Sequence, residues 1–238
     1  MTNAPHPIPS LRDADARVGR SQRHRNRLEE KINAFWRSAD YATLIPPYTS
    51  GSFTYAVDRH LFPSSIPILI GEVLYNLRSA LDYLVHQLAV LDDGKVHVDL
   101  RFPIEDAPSD PAQLAAWTAS WDRAPHELLS GINASHKAAI RSFQPFEGCA
   151  WTRTLRDLAN ADAHGLLSIT VADAATGTDG NGSGSTQALG YRSSSPVGGQ
   201  GGKDFQMYFD DGTLVRDTLD DLMHQVANVL ERFRPDFP

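Results

Sequence analysis

The sequence predicts an α+β fold, a helix-dominated antiparallel bundle with a small antiparallel sheet at one side or end. Three observations carry that reading. Ile70, Leu74, Leu77, Leu81, Leu84, Leu88 and Leu91 step alternately by four and three residues, an apolar stripe of one long helix. Several short alternating runs end in hairpin-type turns such as Asp211-Gly212. Strands and helices do not alternate as in a parallel sheet, and no Walker-type phosphate loop is present.

Taken in order, residues 1–10 hold three prolines and read as a loose tail, and residues 11–238 read as one domain. Leu11 to about Ser38 reads as a helix whose apolar positions gather at Leu28, Ile32, Phe35 and Trp36. Its first half is basic, with Arg12, Arg17, Arg20, Arg23, Arg25 and Arg27. Phe53, Tyr55 and Val57 alternate with polar or small residues as a short strand. The central helix spans Ile66 to about Leu91, with Gly94 as its stop. Val96, Val98 and Leu100 predict a second strand before Phe102-Pro103-Ile104. Helices are expected over Pro111–Trp121, Pro125–Phe143 and Trp151–Ala163, then a buried strand over Leu166–Val171. Residues 172–203 are rich in Gly and Ser and read as a long flexible loop with one strand near Ala188–Arg192. A strand over Phe205–Phe209 and a last helix capped by Asp217 complete the chain.

Composition narrows the function. The net charge of −7 argues against diffuse nucleic-acid binding over the whole surface. A single cysteine, Cys149, excludes an internal disulfide and any multi-cysteine zinc site, and reads as an inert thiol or as one activated at a helix start. There is no basic start followed by an apolar run and no membrane-length apolar stretch, so the expectation is a cytoplasmic protein with no membrane partner. The scattered histidines form no metal motif, and neither a metal nor a cofactor is expected.

Chemistry concentrates in two places. On the central helix, Glu72, Asn76, Ser79 and Tyr83 lie opposite the leucine stripe, with Tyr75, Arg78, Asp82 and His86 at its border. Arg78 and Asp82, at i and i+4, read either as an ordinary ion pair or as a covered pair that orients a third group. Asn160-Ala161-Asp162-Ala163-His164-Gly165 forms the second place, at a helix end. His164 is there either a general acid or base, or a ring held by the helix dipole. The arginine run with His24 reads as a solvated face or as a track for phosphates.

The segment Gly71 to Val85, with Asn76-Leu77-Arg78-Ser79-Ala80-Leu81-Asp82 at its centre, then Phe102-Pro103-Ile104, Gln144-Pro145-Phe146 and Leu155 to His164, resembles a widespread family of uncharacterised bacterial and phage-associated proteins. The likeness covers roughly residues 50–171 and implies a helical fold without an assigned activity. Ala163 and Gly165 stand where that family usually has Lys and Arg. A more distant likeness is to HEPN helical-bundle ribonucleases and nucleotide-binding proteins. It departs from their shorter Arg-to-His spacing, since seven residues separate Arg78 from His86 and Arg156 from His164.

The leading expectation is a HEPN-like hydrolase or transferase acting on a nucleotide or RNA. Arg78, Asp82 and His164 would be catalytic, and Glu72, Tyr75, Asn76, Asn160 and Asp162 would bind substrate. The alternative is a non-enzymatic interaction or ligand-binding protein, a homodimer, whose polar cluster fixes helix register. Nucleic-acid binding through the N-terminal arginine helix is third.

Overall fold

The computed structural model describes residues 8–37, 54–55, 63–123, 127–173 and 205–238. Its helices are α1 (Arg12–Arg37), α2 (Ser65–Asp93), α3 (Pro111–Arg123), α4 (Ala134–Arg141), α5 (Ala150–Ala163) and α6 (Val215–Phe233). The strands are β1 (Thr54–Tyr55), β2 (Ile169–Asp173) and β3 (Phe205–Phe209). Single 3-10 turns occur at Glu127–Leu129, Pro145–Glu147 and Arg234–Asp236.

The leucine stripe makes α2 the centre of the molecule. Ile70, Leu74, Leu77, Leu81, Leu84 and Leu88 have no exposed surface. Burial stabilises each such side chain by roughly 1.5–3 kcal/mol. Gly94 ends α2 in the left-handed conformation, at φ 70°, with its N–H on the Val90 carbonyl.

Helix α1 lies antiparallel along α2: Ser10 N–H donates to Gln87 Oε1, and further along His24 meets Glu72. Its inward stripe is Ala14, Ser21, Arg25, Leu28 and Phe35, so two of its buried positions are polar. Ser21 hydroxyl satisfies itself on the Val73 carbonyl. Arg25 forks onto Asp220 of α6 at 2.8 and 2.9 Å and reaches Glu29 at 3.0 Å. The arginine run is therefore not one solvated face, because one member is a tie between helices. Leu219, Leu222, Val226, Val229, Leu230 and Phe233 of α6 complete this side of the core. Helix α5 runs antiparallel to α2, with Asp162 against Gly71 and Arg156 near Arg78.

Strand structure is slight. β2 and β3 pair antiparallel from Ile169↔Phe209 to Asp173↔Phe205, and β1 pairs with β2 over two residues. Four expectations are corrected. Residues 96–100 form no strand: Val96 and Val98 point into solvent, and Asp99 has φ 63°. The alternation had the strand period but meets no neighbouring strand among the described residues to complete its hydrogen bonds. The expected Pro125–Phe143 helix is cut, because Gly131 takes φ 79° and Asn133 caps α4 through the His136 N–H. Asp217 does not cap α6, since Leu214 holds the cap position and Asp217 sits in the first turn. The strand expected at Leu166–Val171 starts later, at Ile169, and Leu166 is exposed. Residues 1–7 of the expected tail, the strand near Ala188–Arg192 and most of the 172–203 loop lie outside the described residues.

Candidate functional site

Where α2 passes residues 102–105, four side chains grip one short length of backbone outside any helix or strand. Arg78 and Asp82 stand one turn apart on α2 and both reach the same residue. Arg78 Nη2 donates to the Phe102 carbonyl at 2.5 Å, and Asp82 Oδ1 accepts from the Phe102 N–H at 2.9 Å. The direct Arg78–Asp82 approach is longer, 3.8 Å. Gln144, which has no exposed surface, follows on. Its Nε2 donates to the Pro103 carbonyl at 2.8 Å, and its Oε1 accepts from the Glu105 N–H at 3.1 Å. Arg156 of α5 donates to the Ile104 carbonyl at 3.3 Å and forms an ion pair with Asp106 at 2.8 Å. The Phe102 side chain, fully buried in the core, anchors this strap.

Covering a charge is the dominant electrostatic event here. Burial lowers the Arg78 pKa, with Arg101 and Arg156 pushing the same way against Asp82. Burial likewise raises Asp82, opposed by Arg78, the Phe102 N–H, Arg101 and His86. Both shifts arise because low-dielectric surroundings disfavour the charged form. Arg78 Nη1 is buried and has no hydrogen-bond partner among the described residues.

The expected three-residue site is not assembled. Arg78 and Asp82 are together, whereas His164 is the exposed C-cap residue of α5, bonded through its N–H to the Asn160 carbonyl. It lies eight positions beyond Arg156, the α5 neighbour of Arg78, a rise of about 12 Å along a helix axis. Gly165, at φ 66°, follows His164 and leads on to β2, so it does not bring His164 back toward Arg156.

The expected substrate residues also divide. Glu72 is exposed and lies 3.8 Å from His24, and Asp162 sits half-buried against Gly71 with its pKa raised by burial and then by the Glu72 charge. Tyr75 is 62% exposed and Asn160 is exposed. Asn76 is buried, and its amide donates to the Glu72 carbonyl one turn back at 2.7 Å. Its Oδ1 has no partner among the described residues. No group of three or more His, Cys, Asp or Glu among the described residues could hold a metal ion. No helix among them is long and apolar enough to cross a membrane.

Sequence reasoning missed a second polar network, built on His136. Its Nδ1 lies 2.8 Å from Asp92 Oδ2, at the end of α2, and its Nε2 lies 3.4 Å from Asp236 Oδ2. Asn133 joins Asp92 through both its N–H and its amide. Both imidazole nitrogens face carboxylates, which leaves neither free for a substrate. The signal available beforehand was Asn133, a good helix cap just before the histidine. No family model matches this chain, and neither a curated protein nor a solved structure matches it.

Proposed function

We propose that this chain is a non-catalytic helical-bundle binding protein, in which Arg78 and Asp82 hold α2 and the 102–105 strap in register. One observation carries the reading: Arg78 Nη2 donates to the Phe102 carbonyl and Asp82 accepts from the Phe102 N–H, so one strap residue engages both groups, with Arg78 Nη1 left without a partner among the described residues. A general acid or base would have to reach them, and the expected one, His164, is exposed at the end of α5. The motif likeness fits the same reading, because the Arg and Asp of the helix, the Phe-Pro-Ile element and the Gln of Gln-Pro-Phe are the parts of one clamp.

The test compares RNA and nucleotide turnover with thermal stability in wild type, Arg78→Lys and His164→Ala. Lysine cannot reproduce the guanidinium fork, so Arg78→Lys is expected to lower Tm. His164→Ala is expected to leave Tm unchanged, and none of the three proteins should turn over substrate. Turnover by the wild type that disappears in His164→Ala at unchanged Tm would restore the hydrolase reading.

A further inference from the structure

The strap lies on one side of α2. On another, α1 and α2 form a surface groove of about 320 Å3 lined by Asp13, Ala16, Arg17, Arg20, Arg23 and Tyr83. Arg17, Arg20 and Arg23 step by three residues, each about 4.5 Å further along the axis and about 60° round α1 from the last, and all three line this groove. Three guanidinium groups thus meet a single carboxylate, in a chain whose net charge is −7. The attraction of this groove for an anion is local and owes nothing to the overall field.

Several other arginines of this protein are neutralised, although Arg12, Arg27, Arg37, Arg101 and Arg232 also form no ion pair with a described carboxylate, so what sets the groove apart is that three such arginines line one place. Arg25 is held by Asp220 and Glu29, and Arg234 by Asp15 and Glu231. The three groove arginines form no ion pair with any described carboxylate, Asp13 included. Arg17 is nonetheless held in place. Its guanidinium lies 5.2 Å from the centre of the Tyr83 ring, and its Nη2 is 3.4 Å from the Tyr83 hydroxyl. A cation held over an aromatic face has less freedom to lose when a ligand arrives.

We infer that the groove binds a phosphate-bearing anion, gripped by Arg17, Arg20 and Arg23. This deepens the binding reading above and rests on it. Guanidinium forks suit both carboxylates and phosphates. Three forks offer more donors than the two oxygens of a carboxylate can accept, whereas a pyrophosphate or neighbouring backbone phosphates present enough oxygens and charge. The same chemistry could be offered by a free organic phosphate or by a nucleic-acid strand.

Calorimetric titration of the full chain with inorganic pyrophosphate, and separately with a short single-stranded RNA, distinguishes those sources. Released phosphate is measured in the same samples. Binding to either probe is expected, weakening about tenfold in Arg20→Gln and again in Arg23→Gln, the loss of one charged hydrogen bond each. Both positions are exposed, so the fold should survive, with Tm as the check. Arg27→Gln, on the same helix but outside the groove, should bind as wild type does. Absence of binding to both probes overturns the inference, as does an Arg27→Gln loss equal to that of Arg20→Gln, which would signal a diffuse charge effect. Phosphate release that His164→Ala abolishes would instead overturn the non-catalytic reading.

Discussion

Replacing Gln144 by Ala tests whether the strap contributes to stability as its geometry requires. The glutamine makes three hydrogen bonds, to the Pro103 carbonyl, the Ile140 carbonyl and the Glu105 N–H. The Ile140 carbonyl keeps the Phe143 N–H after the substitution. Pro103 O and Glu105 N lose their side-chain partner. A covered backbone group left unpaired costs about 1–3 kcal/mol, which sets the scale for the Pro103 carbonyl, and a lost hydrogen bond about 0.5–1.5 kcal/mol, which sets it for the half-buried Glu105 N–H, so the two together should cost about 1.5–4.5 kcal/mol. Net stabilities of ~5–15 kcal/mol make that a large fraction of the total. Urea unfolding should show a lower midpoint with an unchanged slope, because the exposed area on unfolding is nearly the same. Asp82→Ala frees the same strap at Phe102, so the double variant should lose less than the two single losses added together. A Gln144→Ala loss below about 0.5 kcal/mol, or strict additivity with Asp82→Ala, would refute the clamp.

Leu81→Ala should cost about 2–5 kcal/mol in the same assay, since the side chain is fully buried at the centre of α2 and leaves a cavity. A loss no larger than that of an exposed-site variant would mean that α2 is peripheral. Asp162→Asn should raise Tm at neutral pH and lose that advantage in acid. The folded chain binds this proton more readily than the unfolded one, so stability falls as pH rises through the raised Asp162 value, and asparagine escapes the loss. An advantage that persists unchanged at low pH would contradict the assigned cause. Gly71→Ala would set a Cβ 2.4 Å from the Asp162 carboxylate oxygens, so its helix-propensity gain of up to about 1 kcal/mol should emerge only when Asp162→Ala is also present. Equal effects in both backgrounds, from chemical denaturation, would rule out the close approach.

Much of the helical frame was legible because its signal is periodic. The α2 stripe needed only leucine spacing, and burial of Leu74 to Leu88 follows it residue by residue. The strand expected at residues 96–100 shows the limit of the same logic. Alternation of Val96, Val98 and Leu100 describes a ribbon with two faces, but a strand also needs a neighbour, and that information lies far away in the chain. Only Leu100 of the three is buried, two residues before Phe102 enters the core. The arginine run misled in the opposite way. Arg25 belongs to the inward stripe by its spacing from Ser21 and Leu28, yet its charge suggested solvent until Asp220, far along the chain, supplied the partner.

The candidate site was legible as a need, not as an outcome. Arg78 and Asp82 on an apolar helix had to find polar partners, since covered charges cannot remain unpaired cheaply. A sequence displays side chains that could answer, such as His164, and those invite a chemical reading. It does not display backbone. The N–H and carbonyl of Phe102 are present at every residue and so carry no mark, although they satisfy Arg78 and Asp82 more directly than any distant side chain could. The proline that follows explains why this stretch was available. Pro103 has no N–H and disfavours a helical Phe102, which keeps the backbone extended and its carbonyl unclaimed by secondary structure. Gln144 then answers the Pro103 carbonyl and the Glu105 N–H. On this account the Phe-Pro-Ile and Gln-Pro-Phe elements are neighbours in space because each leaves, or fills, backbone valences that the other must meet.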